Sequence, residues 1–481
     1  MFEAEGIEET PQYPPFKIPR PNDNPDVARK IGELCAQCVQ ANVALFIEVA
    51  GQTFHVGVEP TEEKPRSTLV FATVEDFLRS FGSLRIAGVA EGYLQQRVDF
   101  RGDPEPILEM ATTLKNPILS PLGRMKMALL NQLSRFAPVP AAPEHYNLPP
   151  EVFQLFLGKW QKYTGNWYWE GNETLDEAEE MAMRMACSEF MDVPQGGDHL
   201  EIGCGWGGQM EYIHRTYESN VTGITDCPTQ AAYTRERLQG CGIEEPDVRV
   251  GDFAEFPFEN AFDTISAAGC LEHIQPARQK EFFSFVHRAL KTDGRFFLQS
   301  ITRPRRRFLR FGTHFLQKHV FPGFHLVRKD QIISAAESAG LLCMHDTSNC
   351  HDHYRQTLRH WTERLIHNRD KIVALVGERK FRVLLAYIAM SSKAFERGAI
   401  NLYRFSFEKS CEINDRGEMK QPSEDVLAKP GLNVLWIRKW MEFHSGINPP
   451  REGEHWKKGD KVPRFPIVPP PPEGINPWAG T

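Results

Sequence analysis

Apolar and polar residues along this chain follow different periods in two successive regions. In the first region, the spacing predicts a helix over residues 26–40, hairpin strands over 43–50 and 52–58, and a second helix over 73–81. From residue 144 to about residue 407, short apolar runs alternate with helical patterns, which favours a parallel sheet with helices on both faces. We therefore expect a small α+β domain followed by a larger α/β domain.

Composition sets the limits of these domains. Residues 1–25 are rich in proline and glutamate and are predicted to be a flexible arm. The small domain takes residues 26–115, and a linker, residues 116–143, joins it to the larger domain of residues 144–410. The remaining residues, 411–481, are predicted to be a Pro-rich C-terminal extension.

Charge and cysteine content narrow the class of protein. The chain of 481 residues carries a net charge of -7, which argues against binding nucleic acid through phosphate neutralisation. Its 10 cysteines are scattered and no secretory signal precedes them, so we expect reduced thiols in a cytoplasmic protein. No apolar run reaches the ~18 residues that would span a bilayer. We expect no metal site, and the sequence leaves a homodimer open.

The larger domain is organised around one stretch, HLEIGCGWGG at residues 199–208. A short apolar strand leads into a glycine-rich loop, and a helical pattern follows from Gln209. Glycines let a backbone approach a ligand closely, and a helix N-terminus presents unpaired N–H groups. The glycines alternate as G-x-G-x-G after an acid, not as the G-x-G-x-x-G that seats a pyrophosphate. This pattern predicts S-adenosylmethionine (SAM), whose methionine part would be held by Glu201, Gly203, Gly205 and Gly207.

Two further strand ends supply the rest of the predicted cofactor site. The strand 220–225 ends 22 residues after Gly203, close to the ~20 residues expected between a glycine loop and a ribose-binding strand end. The strand 248–251 is followed by an acid, which can accept from an adenine amino group, and by an aromatic residue, which can cover the ring. The residues concerned are Thr225 and Gln230 on the ribose side, and Asp252 and Phe253 on the adenine side.

Several motifs in one order resemble the cyclopropane fatty acid synthase family, which includes the mycolic acid cyclopropane synthases. The glycine loop is similar to that family's SAM loop, and GCLEH at 269–273 is similar to its G-M-F-E-H stretch. Tyr163 and Thr164 stand where the family has a SAM-contacting Tyr-Ser pair. Further similar segments lie at residues 144–148, 318–323 and 354–358.

The resemblance covers about residues 70–410 and implies a fold for each domain. The larger domain would be a class I SAM-dependent methyltransferase, with a Rossmann-like, seven-stranded, mostly parallel sheet. The small N-terminal α+β domain, which resembles the family more weakly, would handle lipid.

The resemblance also implies a chemistry at the cis double bond of a phospholipid acyl chain. There the π electrons attack the methyl group on the sulfonium, a carbocation forms, and a base takes one proton so that a ring can close. In the family, that base is a bicarbonate held by a Cys, a Glu, a His, a Tyr and an Ile main-chain group. This chain has Glu272, Tyr354 and Ile301 at three of these positions, but Gly165 in place of the Cys and Gln299 in place of the His. The residues predicted to serve the chemistry are Glu272, Tyr354, His273 and Gln299.

Three functions follow from these residues. The first is transfer of a methyl or methylene carbon to an unsaturated fatty acyl chain of a lipid, as in cyclopropane synthases but with an altered bicarbonate site. The second is N- or C-methylation of a small molecule, because Glu272 and His273 also resemble the Glu-His pair of the coclaurine N-methyltransferase type. The third is a non-catalytic lipid-binding protein.

The segment RPRRRFLRF at residues 303–311 bears on access to a lipid. It places five arginines among three apolar side chains. Such a segment can lie on an anionic bilayer with its arginines at the headgroups, or it can form a solvated basic surface. The first alternative predicts a peripheral protein at the inner membrane face.

Overall fold

The computed structural model describes residues 24–61, 67–81, 86–113, 148–304, 319–321, 323–347 and 350–409. The chain divides into two compact units, residues 1–130 with 378–393, and residues 131–377 with 394–481. Most of the predicted arm, the whole linker and the Pro-rich extension lie outside the described residues, and so do residues 305–311 of the basic segment. None of the described helices is long and apolar enough to cross a bilayer.

The first unit is built on a four-stranded sheet of order β2-β1-β3-β4. Strands β1 and β3 are parallel, and the other neighbours are antiparallel. Its elements are α1 (Pro25–Gln40), β1 (Ala44–Val49), β2 (Gln52–Gly57), β3 (Ser67–Phe71), α2 (Val74–Ser80), α3 (Ile86–Leu94), β4 (Val98–Gly102) and α4 (Glu105–Thr113). The helix, hairpin and second helix predicted from the hydrophobic pattern are confirmed. Helix α1 begins where predicted because the Asn24 side chain accepts from the Val27 N–H.

The second unit is built on a seven-stranded sheet of order β10-β11-β9-β8-β5-β6-β7. Its strands are β5 (Asp198–Ile202), β6 (Asn220–Thr225), β7 (Asp247–Val250), β8 (Phe262–Ala268), β9 (Leu290–Thr302), β10 (Leu341–Asp346) and β11 (Asn401–Lys409). Five strands are parallel, and β11 runs antiparallel to both of its neighbours, β9 and β10. The predicted seven-stranded, mostly parallel sheet is confirmed.

Helices accompany this sheet along the chain. They are α5 (Pro150–Gln154), α6 (Leu175–Met185), α7 (Gly208–Tyr217), α8 (Pro228–Gln239), α9 (Gln279–Ala289), α10 (Lys329–Glu337), α11 (His351–His367) and α12 (Arg369–Val376). The next helix along the chain, α13 (Glu378–Glu396), belongs mostly to the first unit. A π-helical turn, Ala186–Met191, extends α6, and short 3₁₀ turns follow β7 and β8. Strands β5, β6, β8 and β9 are parallel, so their carboxyl ends meet at one edge, where ligands bind in folds of this type.

The sequence placed residues 378–393 in the larger domain, but the structure assigns them to the first unit. The buried Arg382 side chain gives the physical reason. It forms an ion pair with Asp99 at 2.7 Å and donates to the main-chain oxygens of Tyr93 and Val98. These partners lie almost 300 positions away along the chain, so no local pattern indicates them.

A buried histidine lies beneath the glycine loop, in β5. The two ring nitrogens of His199 lie 2.9 Å from Thr264 Oγ1 and 3.1 Å from Ser266 Oγ. Gln209 donates to the same Ser266 hydroxyl. Burial lowers the pKa of His199 to about 3, so this ring is neutral in the folded protein.

This histidine should make stability depend on pH. Its folded pKa lies below its unfolded value, so its contribution is complete above about pH 6.5 and is lost as the pH falls from there towards 3. We expect the free energy of unfolding to drop by up to about 2 kcal/mol more between pH 7 and pH 5 in wild type than in His199→Gln. Urea unfolding at both pH values measures this difference. Equal losses in the two proteins would contradict the assignment of a neutral ring.

Candidate active site

The glycine loop follows β5 directly and has a crowded side and an open side. A Cβ on Gly208 would lie 1.8 Å from the Trp160 carbonyl oxygen, so the loop packs closely against the segment 160–167. A Cβ on Gly205 would meet nothing nearer than the Gly203 oxygen at 4.0 Å, and Gly205 has a φ of +53°. The backbone at Gly205 therefore faces open space in a conformation that favours glycine.

The acid before the loop is buried and has an unused oxygen. Glu201 is 7% exposed, and within the described part of the chain its Oε2 has no hydrogen-bond partner. Burial raises the pKa of Glu201 to about 8, opposed by Lys162 and the Met210 N–H. A buried acceptor without a partner is costly. A ligand ammonium or hydroxyl at this position would satisfy it, so Glu201 and the open glycine backbone fit the methionine part of SAM.

The predicted ribose-side residues lie at the end of β6, beside the loop. Thr225 Oγ1 and Gln230 Oε1 are 3.2 Å apart, and both side chains are buried. The Gly203 and Cys204 N–H groups donate to the Ile224 oxygen, which ties the glycine loop to this strand. Thr225 and Gln230 therefore stand at the predicted edge, and their contact with ribose stays a prediction.

The predicted adenine-side residues have other neighbours than expected. Both carboxylate oxygens of Asp252 accept from Arg278, at 2.7 and 2.8 Å, and this guanidinium lowers the pKa of Asp252. The Phe253 ring packs against the rings of Phe282 and Phe285 in the core. Phe253 therefore packs in the core of the sheet domain, and its contact with an adenine stays a prediction. An adenine amino group bonded to Asp252 would share this carboxylate with the Arg278 guanidinium.

Buried charges hold the segment 160–167 against the glycine loop. Glu179 accepts from the main-chain N–H groups of Trp160 and Lys162, at 2.6 and 2.7 Å. Lys162 Nζ in turn donates to the Gly165 oxygen at 2.9 Å. Burial raises the pKa of Glu179 to about 7 and lowers that of Lys162 to about 7. These bonds fix the backbone on both sides of Tyr163 and Thr164, the two residues predicted to contact the cofactor.

Tyr163 and Thr164 point to different surroundings. The Tyr163 ring lies among aromatic rings, 5.3 Å from Phe153 and 5.2 Å from Trp361. The Thr164 hydroxyl lies beside Gly269, where a Cβ would be 3.6 Å from Oγ1. Gly269 follows β8, so the structure brings Thr164 to the same sheet edge as the GCLEH stretch.

Glu272 lies in a 3₁₀ turn, Leu271–His273, just after β8. Its Oε1 accepts from the Ile301 N–H at 2.5 Å, and its main-chain oxygen accepts from the His325 N–H at 2.8 Å. Its other oxygen, Oε2, is buried and makes no hydrogen bond to any residue that the structure describes. Burial raises the pKa of Glu272 to about 7, opposed by the Ile301 N–H. This carboxyl group can therefore exchange a proton near neutral pH.

The family model of mycolic acid cyclopropane synthetases matches residues 135–405, which is more than half of the chain. The chain belongs to the mycolic acid cyclopropane synthetase family. Membership confirms the predicted family, the class I methyltransferase fold, the SAM-dependent methyltransferase class and SAM as the cofactor.

Individual relatives and solved structures agree with this membership. A probable fatty acid methyltransferase of Pseudomonas putida is 30% identical over 265 residues, which are 54% of this chain and 66% of that protein. A sphingolipid C9-methyltransferase of Komagataella phaffii is 26% identical over 370 residues, or 72% and 75% of the two chains. The mycolic acid cyclopropane synthase CmaA1 complexed with SAH and CTAB shares 26% identity and a TM-score of 0.52, covering 55% of this chain and 96% of that one. The chain thus spans slightly less than two thirds of the first of these relatives.

Gly165, which stands where the cyclopropane synthases have a cysteine, is closely covered. A Cβ there would lie 2.9 Å from Tyr354 Cγ and 3.0 Å from Leu402 Cδ2. The Tyr354 ring is itself held at 4.8 Å from the Phe395 ring. A cysteine at 165 would therefore require Tyr354 or Leu402 to shift.

Gln299, which stands where those synthases have a histidine, is held by a residue that the sequence analysis missed. Arg404 faces Gln299 across the β9–β11 pair and donates to its Oε1 at 2.7 Å. Arg404 also donates to the Asn166 oxygen at 2.8 Å, and its guanidinium carbon lies 4.4 Å from the centre of the Trp167 ring. Arg404 as a whole is 2% exposed. One signal could have found it, because a single charge inside the apolar run LYRFSF, residues 402–407, is rare in a buried strand.

His273 lies at the end of the 3₁₀ turn that carries Glu272. Its ring packs edge-on against Phe321, with centres 5.2 Å apart. Burial lowers the pKa of His273 to about 4, so it is neutral at pH 7. A neutral imidazole can accept a proton or orient a neighbour, and its catalytic role stays a prediction.

Proposed function

We propose that this protein transfers a methyl carbon from SAM to a double bond in an acyl chain of a lipid. The proposal rests on the carboxyl group of Glu272 at the ligand-binding edge of the sheet. This group is buried, its pKa is raised to about 7, and its Oε2 has no hydrogen-bond partner among the described residues. The names of relatives that act on fatty acids and sphingolipids support a lipid acceptor.

The side chains around Gly165 and His273 suit an apolar acceptor. Tyr354 and Leu402 cover Gly165, and Phe321 packs beside His273. When bound, SAM supplies an electrophilic methyl group. Glu201 and the loop backbone at Gly205 would orient it, and Glu272 would stabilise positive charge that develops on the acceptor carbon.

A second candidate is N-methylation of a small amine. The adjacent Glu272 and His273 favour it, because a carboxylate beside a neutral imidazole can take a proton from an amine. Solved structures of coclaurine N-methyltransferase share the fold at 17% identity, which bears on architecture alone.

Deuterium-labelled SAM separates the two candidates. The full chain is incubated with labelled SAM and with vesicles of unsaturated phospholipid, vesicles containing an unsaturated sphingolipid, or a panel of small amines. We expect label in acyl or sphingoid chains. In mass spectra, a methyl branch keeps every deuteron of the methyl group, whereas a cyclopropane ring loses one. Label in amines alone would overturn the lipid proposal.

The lipid proposal has two further parts that rest on the sequence. The first unit would handle the lipid, and the basic segment 303–311 would contact an anionic membrane, which would place the protein at the inner membrane face.

A further inference from the structure

We infer that Glu272 accepts the proton of this reaction directly, with no bicarbonate or other anion held between its carboxylate and the substrate. The inference rests on the proposed function and specifies its proton acceptor. Cyclopropane synthases hold an anion with donor groups at certain positions. The inference follows from the hydrogen-bond partners that this chain provides at those positions.

The main-chain N–H group of Ile301 already has a hydrogen-bond partner. The Ile301 N–H, which stands at the anion-holding position of the family, donates to Glu272 Oε1 at 2.5 Å. A hydrogen bond this short to a buried carboxylate is a strong one. An anion could take this donor only by displacing the carboxylate.

Gly165, at the position of the family's cysteine, provides no thiol to hold an anion. Gly165 has no side chain, and Tyr354 and Leu402 fill the space that a side chain would take. The Gly165 carbonyl oxygen is an acceptor that faces three donors, Lys162 Nζ at 2.9 Å, Gln299 Nε2 at 3.3 Å and Arg404 Nη2 at 3.3 Å. Gly165 therefore offers an anion no side-chain donor, and Tyr354 and Leu402 leave no room for a side chain.

Gln299 stands at the position of the family's histidine, and the oxygen and the nitrogen of its amide group are both hydrogen-bonded. Arginine has donors only, so the bond from Arg404 fixes Gln299 with Oε1 towards the guanidinium and Nε2 away from it. The amide nitrogen then donates to Thr164 Oγ1 at 2.6 Å and to the Gly165 oxygen at 3.3 Å. Arg404 is therefore a positioning residue that acts through Gln299, whose amide oxygen and amide nitrogen are both held by groups of the protein.

We assign the proton to the Oε2 atom of Glu272, which is buried and makes no hydrogen bond to any residue that the structure describes. The alkene π pair forms the bond to the methyl carbon while the sulfur keeps the electron pair of the bond that breaks. The resulting carbocation gives one C–H proton to Oε2, which turns the carboxylate into a carboxylic acid. The C–H electron pair then closes either a ring bond or a new double bond. The acid loses its proton to solvent before the next turnover, so no other reactant is needed.

The dependence on bicarbonate tests this inference. Label transfer from SAM into lipid is measured in buffer freed of carbon dioxide and again with added bicarbonate. We expect the two rates to agree within about twofold, because no step uses the anion. Wild-type transfer into lipid that rises and saturates with bicarbonate would overturn the inference while leaving the proposed function intact. Absence of lipid labelling under both conditions would instead overturn the proposed function.

Two further measurements test the inference without relying on the wild-type rate of label transfer. Glu272→Ala should lose transfer, and added formate, a small carboxylate, should restore part of it. Glu408→Ala removes a half-buried glutamate near the C-terminal end of β11 and should show neither effect. In a separate measurement without lipid, carbon-13-labelled bicarbonate should show no saturable line broadening with the wild-type protein. Saturable broadening that disappears in Glu272→Gln would overturn the inference whatever the activity.

Discussion

Replacing Gly205 by valine should weaken SAM binding by about 100-fold or more, which corresponds to ~2.7 kcal/mol. Gly205 has a φ of +53°, and a β-branched residue in that region is strained. The new side chain would also project into the open space on the ligand side of the loop. Calorimetric titration of the purified chain with SAM measures the loss directly.

A matched glycine provides the control for this change. Gly196 has a φ of +69° and open space around its Cβ position, but it precedes β5 and so lies away from the carboxyl edge of the sheet. Gly196→Val should therefore carry similar backbone strain and keep its affinity for SAM. Equal affinity in wild type and Gly205→Val would remove the glycine loop from the cofactor site.

Replacing Glu272 by glutamine should lower the rate of methyl transfer by about 10²–10⁴-fold, the usual contribution of a general base. The amide oxygen can still accept from the Ile301 N–H, so the fold and SAM affinity should be kept. What is lost is the ability of the second oxygen to take a proton. Single-turnover label transfer, with SAM affinity measured in parallel, separates the two effects.

The pH profile gives a readout that a structural role would not change. The pKa of Glu272 is raised to about 7, and a base acts in its deprotonated form. The wild-type rate should therefore rise with pH through about 7 and then level off, whereas the residual rate of Glu272→Gln should lack this step. Lys162 titrates in the same range, so the difference between the two profiles assigns the step. Glu408 is a half-buried glutamate paired with Arg295, and Glu408→Gln should keep the wild-type profile. A step that persists in Glu272→Gln would contradict the role of Glu272 as base.

Much of the fold could be predicted from the sequence, because hydrophobic alternation and glycine-rich loops depend on residues that are neighbours along the chain. Alternation and apolar runs placed β5 and β6 within a residue of their observed bounds, and the glycine loop followed from residues adjacent in sequence. The number of strands in the sheet came from the resemblance to a family rather than from periodicity, and their order was not predicted.

Side-chain direction and distant partners could not be predicted in this way. Phe253 was expected over an adenine, but packing against Phe282 and Phe285 turns its ring into the core. Arg404 lies 105 positions from the glutamine it holds, and Arg382 joins the first unit through contacts with β4. In each case a partner far along the chain decides where the side chain lies.

The order of strands has a consequence for how the protein is made. Strand β11 is synthesised after β9 and β10 but is inserted between them. Until it arrives, β9 presents an open edge that can pair with another chain, and Gln299 has no guanidinium to fix its orientation. Nascent or proteolysed chains that end before residue 401 should therefore associate with one another instead of folding into a smaller working enzyme.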